Sequence, residues 1–160
     1  MGQQQLLLLV LATVIVGLAT VAGIQAFSEN QQQAAQDALV QRGTEIVSDI
    51  KGLQGKPTQL GGIDLTVSNA DDVGASTVLN RLGYETDTGN GIGASDVPVD
   101  GAPGSSPDGS GPAECTLGLT HGASSDTPNA TLTCDSSEVT QTVTVSLDLD
   151  ADPQVTTDFS

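Results

Sequence analysis

The sequence predicts an α+β fold: one long N-terminal α-helix, apolar in its first half and amphipathic in its second, packed on a small antiparallel β-sheet domain. Three observations predict it. Residues 6–27 carry no charge and no proline, with only Thr13, Thr20 and Gln25 as polar interruptions. Ala35, Leu39, Ile46, Ile50 and Leu53 then recur at steps of 4, 7, 4 and 3, the spacing of one helix face. Beyond residue 54 the periodicity changes to two, with short apolar–polar alternations around Cys115 and Cys134. The expected organisation is therefore 1–27, an apolar half-helix; 28–53, an amphipathic half-helix; and 54–160, an acidic β-rich outer domain with one disulfide and a long loop at 87–112.

The apolar stretch supplies roughly 20 residues at about 1.5 Å each, enough to match the hydrocarbon core of a bilayer. It fits a secretory signal peptide, a signal anchor or a retained assembly helix. Met1 to Gln5 carries no basic residue, and the small residues Ala22 and Ala26 have poor partners three positions earlier for a leader-peptidase cut. The retained helix is the expectation. Ala19 and Gly23 have small-xxx-small spacing, with Gly17 nearby, which allows close approach between helices.

From Ser28 the helix turns polar and runs without a breaker to Lys51. Gly43 lies within the apolar stripe and costs about 1 kcal/mol relative to Ala in a helix interior, so it marks a bend or a close contact. Gly52, Gly55 and Pro57 end the helix. In the outer domain Ile63, Leu65 and Val67 alternate with polar residues as a short strand. Residues 71–84 hold a helical turn around Val78, Leu79 and Leu82. Residues 87–112 are rich in Gly, Asp, Ser and Pro and read as a surface loop.

The cysteine segment is a hairpin. Cys115, Leu117 and Leu119 alternate with polar residues, as do Ala130, Leu132 and Cys134. Folding at 122–128 sets Cys115 opposite Cys134 and Leu117 opposite Leu132, all on the apolar face. The pair reads as one disulfide in an oxidising compartment, with two free thiols as the alternative; the bridge would be worth about 3 kcal/mol by the chain-entropy argument. The longest strand candidate is 138–149, with Val139, Val143, Val145 and Leu147 on one face. The resulting sheet has one wet face, and the amphipathic half-helix is the lid for the dry one.

The formal charge of −16 comes from 20 acids against four bases, and aromatics make up 2% of the chain. Every acid lies at or after Glu29, so the charge belongs to the polar part. Such a surface repels nucleic acid and anionic headgroups; a halophilic source and an ordinary acidic secreted protein both fit it. His121 is the single histidine and sits in the hairpin turn; Ser124 and Asp126 are close in sequence, which does not make a triad. The glycines of 89–93 lack the Lys of a phosphate loop. No catalytic set is legible, and no enzyme is expected. Asp148, Asp150 and Asp152 have the spacing to wrap calcium if the chain turns, without the Gly and closing Glu of an EF-hand loop; they read first as solvated surface, as do Asp87, Asn90 and Asp96. Asn129-Ala130-Thr131 is a glycosylation acceptor pattern. No cofactor is expected beyond that possible calcium.

With its apolar segment 6–27 continued by 28–51, and a small sheet domain carrying a late Cys115–Cys134 bridge, the architecture resembles the type IV pilin-like family of pilins and pseudopilins. The resemblance implies a homo-oligomeric filament with the apolar half-helices at its core and the sheet domains outside. It further implies a cell-surface location, a membrane-inserted stage before assembly, and a dedicated assembly machinery. Assembly contacts would fall on Gln5, Leu6, Leu9, Val16, Gly17, Ala19, Gly23 and Phe27. The family's basic leader has no counterpart before Gly2. Gln5 stands where the family has a glutamate if Met1 starts the mature chain, and Leu7 stands there if a cut follows Gly2. Surface adhesion or motility would then be served by the acidic domain and the 87–112 loop. The alternative is a single-pass, membrane-anchored accessory or binding module outside the cytoplasm.

Overall fold

A computed structural model describes residues 2–66, 73–84, 86, 95–99, 113–122, 127–137 and 139–160. Helix α1 spans Gly2–Gln54 without interruption. Its C-terminal turn closes where Gly55 N–H donates to the Lys51 carbonyl (3.2 Å), and a short 3-10 turn follows at Thr58–Leu60. Helix α2 covers Ala75–Leu82 and ends at Gly83, whose φ of 84° suits a residue without a Cβ. Five strands follow: β1 Asp96–Pro98, β2 Glu114–Leu119, β3 Ala130–Asp135, β4 Val143–Leu147 and β5 Val155–Phe159. They form one antiparallel sheet in sequence order.

The α+β expectation holds, and the stripe does what its periodicity requires. Ala35, Leu39, Ile46, Ile50 and Leu53 are all buried, together with Val47. They cover the inward residues of the sheet, which include Val97, Cys115, Leu117, Leu132, Cys134, Val143, Val145 and Leu147. Gly43 is a point of contact: a Cβ placed there would lie 2.8 Å from Val145 Cγ2 and 3.4 Å from Cys134 Sγ. The helix therefore rests almost directly on the disulfide. It runs along β4, with Gln36 Nε2 on Gln141 Oε1 (3.1 Å) towards one end and Gly43 over Val145 further on.

The hairpin register is the expected one, with Cys115 opposite Cys134 and Leu117 opposite Leu132, and the two cysteines are bonded. Several other expectations need correction. Ile63 and Leu65 are buried but form no strand. Leu65 N–H donates to Gln54 Oε1 (2.9 Å), and its carbonyl accepts from Gly122 N–H (2.8 Å) and Asn129 Nδ2 (3.2 Å). Irregular backbone is thus satisfied by side chains and a turn instead of a ladder; Val67 lies outside the described residues. The turn expected in 71–84 is a two-turn helix. The 87–112 stretch contains strand β1, whose Val97 is buried, as is Val99 beyond it; most of that stretch lies outside the described residues. The long strand expected at 138–149 is confined to Val143–Leu147, with Glu138 outside the described residues. A further strand, β5, which the alternation pattern did not mark, pairs with β4 and forms the sheet edge.

Candidate functional site

The feature that calls for a function is the first half of α1. Its side chains have no contact with the outer domain: Leu6, Leu9, Val16 and Phe27 are 65–67% exposed. A Cβ on Gly17 or Gly23 would meet nothing within 4 Å. The most apolar stretch of the helix is long enough to cross a membrane, with a mean hydropathy of 2.7 and none of it buried. Its two hydroxyls turn back onto the helix. Thr13 donates to the Val10 carbonyl (2.9 Å) and Thr20 to the Val16 carbonyl (2.8 Å). No donor on those side chains is left needing water, as a lipid or dry protein environment demands.

Of the sequence-predicted assembly residues, Gln5, Leu9, Val16, Ala19, Gly23 and Phe27 fall on one side of an ideal helix, at about 3.6 residues per turn. Leu6 and Gly17 lie well round from that side, towards the azimuth of the buried stripe. By the same geometry this face lies largely away from the side that Leu39, Ile46 and Ile50 press against the sheet. A helix so divided can hold its own outer domain with one side and meet other apolar surfaces with the other.

The outer domain supplies the polar groups. Arg42 on α1 pairs with Glu45 (3.2 Å), and its guanidinium lies 4.9 Å from the Tyr84 ring centroid. Tyr84 donates to Asp49 Oδ2 (2.6 Å); burial first, and then this bond to a carboxylate, pushes its phenol above the usual tyrosine range. The cluster clamps the chain after α2 to the solvent-facing flank of α1. Next to it a groove of about 170 Å³ is lined by Ala38, Gln41, Arg42, Glu45 and Val99. Asp64 is held below the usual carboxylate range by the Thr66 hydroxyl and then the Thr66 N–H. Glu114 is raised, by partial burial first and then by Asp96 and Asp135; Asp135 is its direct cross-strand neighbour.

The candidate calcium residues are not gathered. Asp148 Oδ1 accepts from Asp150 N–H (2.9 Å) in a local turn, and among the described residues no three His, Cys, Asp or Glu side chains converge as a metal set. Asp87 and Asn90 lie outside the described residues, as do Ser124 and Asp126, while Asp96 opens β1. Asn129 has a different task from the one its sequence pattern suggests. It is 2% exposed; Nδ2 donates to the Leu65 carbonyl (3.2 Å) and Oδ1 accepts from Leu149 N–H (3.0 Å). The atom a glycan would need is thus buried and bonded in the folded domain. Nothing in the sequence marked this asparagine as the tie between the 63–66 segment and the end of β4; that tie depends on two distant backbone groups. The chain matches no protein-family model, no curated protein and no solved structure.

Proposed function

We propose that the protein is a structural subunit of an extracellular, type IV pilus-like filament, assembled by packing of the apolar halves of α1 from many copies. One observation carries the reading: residues 6–27 are an exposed apolar rod, continuous with the half-helix that holds the outer domain. Left in water, that rod forfeits about 25 cal/mol for every Å² of apolar surface. Sister helices can cover it on all sides, and the small residues Ala19 and Gly23 let backbones approach. The acidic outer domains, with most of the −16 charge, then keep the filament surface soluble and apart from its neighbours.

The second reading, a single-pass anchor carrying an extracytoplasmic accessory module, is favoured by the match between the apolar span and a bilayer. The two separate by where the protein is found. Material is sheared from the surface of producing cells and pelleted, and the chain is sought by mass spectrometry in the sheared and membrane fractions. Recovery in sheared filaments supports the subunit reading; recovery in membranes alone supports the anchor and overturns the filament.

A further inference from the structure

The two edges of the sheet are built differently. β1 is three residues long and ends at Pro98, which has no N–H to offer; this is a protected edge. β5 is five residues long and, among the described residues, pairs only with β4. Thr142 and Ser160 exchange both backbone bonds (2.8 and 3.1 Å), and Asp148 N–H donates to the Gln154 carbonyl (2.8 Å). The alternation of an antiparallel ladder therefore turns the backbone groups of Thr156 and Asp158 towards β4, and those of Val155, Thr157 and Phe159 outwards. Phe159 is 48% exposed, and Thr156, Thr157 and Asp158 are exposed beside it.

We propose that this edge is a self-recognition surface. Two copies of the chain join β5 to β5, antiparallel, about a two-fold axis through Thr157, and fuse their sheets into one. The strand is self-complementary in that register. Thr157 exchanges both bonds with its counterpart, and each Val155 N–H meets the other copy's Phe159 carbonyl. The Phe159 N–H keeps its bond to Asp158 Oδ1 (3.0 Å) or exchanges it for the facing Val155 carbonyl. On the helix side Val155 lies across from Phe159, twice, an aromatic–β-branched pairing that sheets favour. On the other face Thr156 lies across from Asp158, so the strand's one charge never meets itself. Slipping two residues one way sets Asp158 against Asp158; slipping the other way sets Phe159 against Pro153. In a chain of net charge −16 this edge strand carries a single acid, Asp158. Its recognition chemistry is backbone, Val, Thr and Phe, all of which the same strand supplies.

Direction follows from the fold. Because α1 runs along β4, the two-fold reverses one α1 relative to the other, and the apolar halves point opposite ways. The contact therefore joins copies rooted in different filaments or different membranes, whichever houses residues 6–27. One such edge is a small contact; many presented together add up through multivalency.

Single cysteines in the full-length chain test the register. Phosphatidylcholine vesicles carrying Thr156→Cys protein are mixed with vesicles carrying Asp158→Cys protein under mild oxidation, and dimers are read on a non-reducing gel. The mixture is expected to cross-link about tenfold more than either population alone, and Thr157→Cys vesicles to cross-link among themselves. Adding Thr157→Pro to both partners of the mixture removes an outward N–H and leaves the β4 bonds intact; it is expected to cut cross-linking about tenfold while the circular-dichroism melt stays cooperative. Equal cross-linking in the mixture and in Thr156→Cys alone, no cross-linking in any sample, or full cross-linking with proline at position 157 would each overturn the proposal.

Discussion

Gly43 shows how one hydrogen atom in place of a methyl group sets the distance between two layers. Gly43→Ala gains about 1 kcal/mol of helix propensity but drives a methyl into Val145 Cγ2 at 2.8 Å and against Cys134 Sγ. Val145 is buried and stiff at χ1, so overpacking, at about 1–3 kcal/mol, outweighs the gain and the thermal midpoint falls. Gly52→Ala, with nothing within 4 Å of the new methyl, takes the propensity gain without the clash, and its midpoint rises; calorimetry on the two variants in detergent checks both signs. Asn129→Asp keeps the shape but removes the donor to Leu65 and buries a charge. A loss of about 1–3 kcal/mol or more is expected at neutral pH. The buried carboxyl is favoured in its neutral form, so its folded pKa lies above the unfolded one. Stability is retained below the ordinary carboxylate range and lost as pH rises through the folded pKa, which urea melts across pH resolve.

Among the elements, those with a single strong period were legible beforehand. The α1 stripe was readable because five residues repeat at helical spacing over a long run, and the hairpin because its cysteines and leucines fix one register. The 63–66 segment was misread because alternation reports which side chains are buried, whereas a strand also needs a backbone partner; here Gln54 and Asn129 stand in for one. β1 was missed because three residues in a Gly- and Asp-rich stretch leave no period to detect. β5 was missed because it lies at the edge, where only Val155 is partly covered and Thr156 to Phe159 owe nothing to a core. The exposed apolar half of α1 is likewise legible as a run of uncharged residues, whereas the Arg42–Tyr84–Asp49 cluster joins residues too far apart in sequence to announce one another. At this scale the disulfide between β2 and β3 is expected to contribute about 3 kcal/mol; the Cys115→Ala/Cys134→Ala double variant should melt correspondingly earlier. Glu114 and Asp135 set like charges across the same strand pair. Since the folded state holds the Glu114 proton more tightly than the unfolded one, its contribution is present below the unfolded value of about 4.5 and is lost as pH rises through the folded pKa. Glu114→Gln is therefore expected to stabilise the sheet by about 0.5 kcal/mol at neutral pH and to change nothing in acid, again by urea melts.

For the whole molecule the division of α1 is decisive. A charge at its apolar half, as in Val16→Asp, leaves the outer domain untouched because Val16 contacts none of it. On the filament reading it removes the chain from the sheared fraction, while the melt of the outer domain stays within about 0.5 kcal/mol of the parent; mass spectrometry and circular dichroism read the two outcomes separately. The surface charge of −16 predicts that added salt raises stability and self-association together, by screening repulsion over about 10 Å at 0.1 M. The alignment of α1 with β4 also has a mechanical side. If residues 6–27 are rooted, as either proposed reading requires, a tug on the outer domain loads the seam between helix and sheet lengthwise. Leu39, Ile46 and Ile50 must then slide together instead of peeling away one after another, so the joint between tether and head is strongest along the line in which it would be pulled.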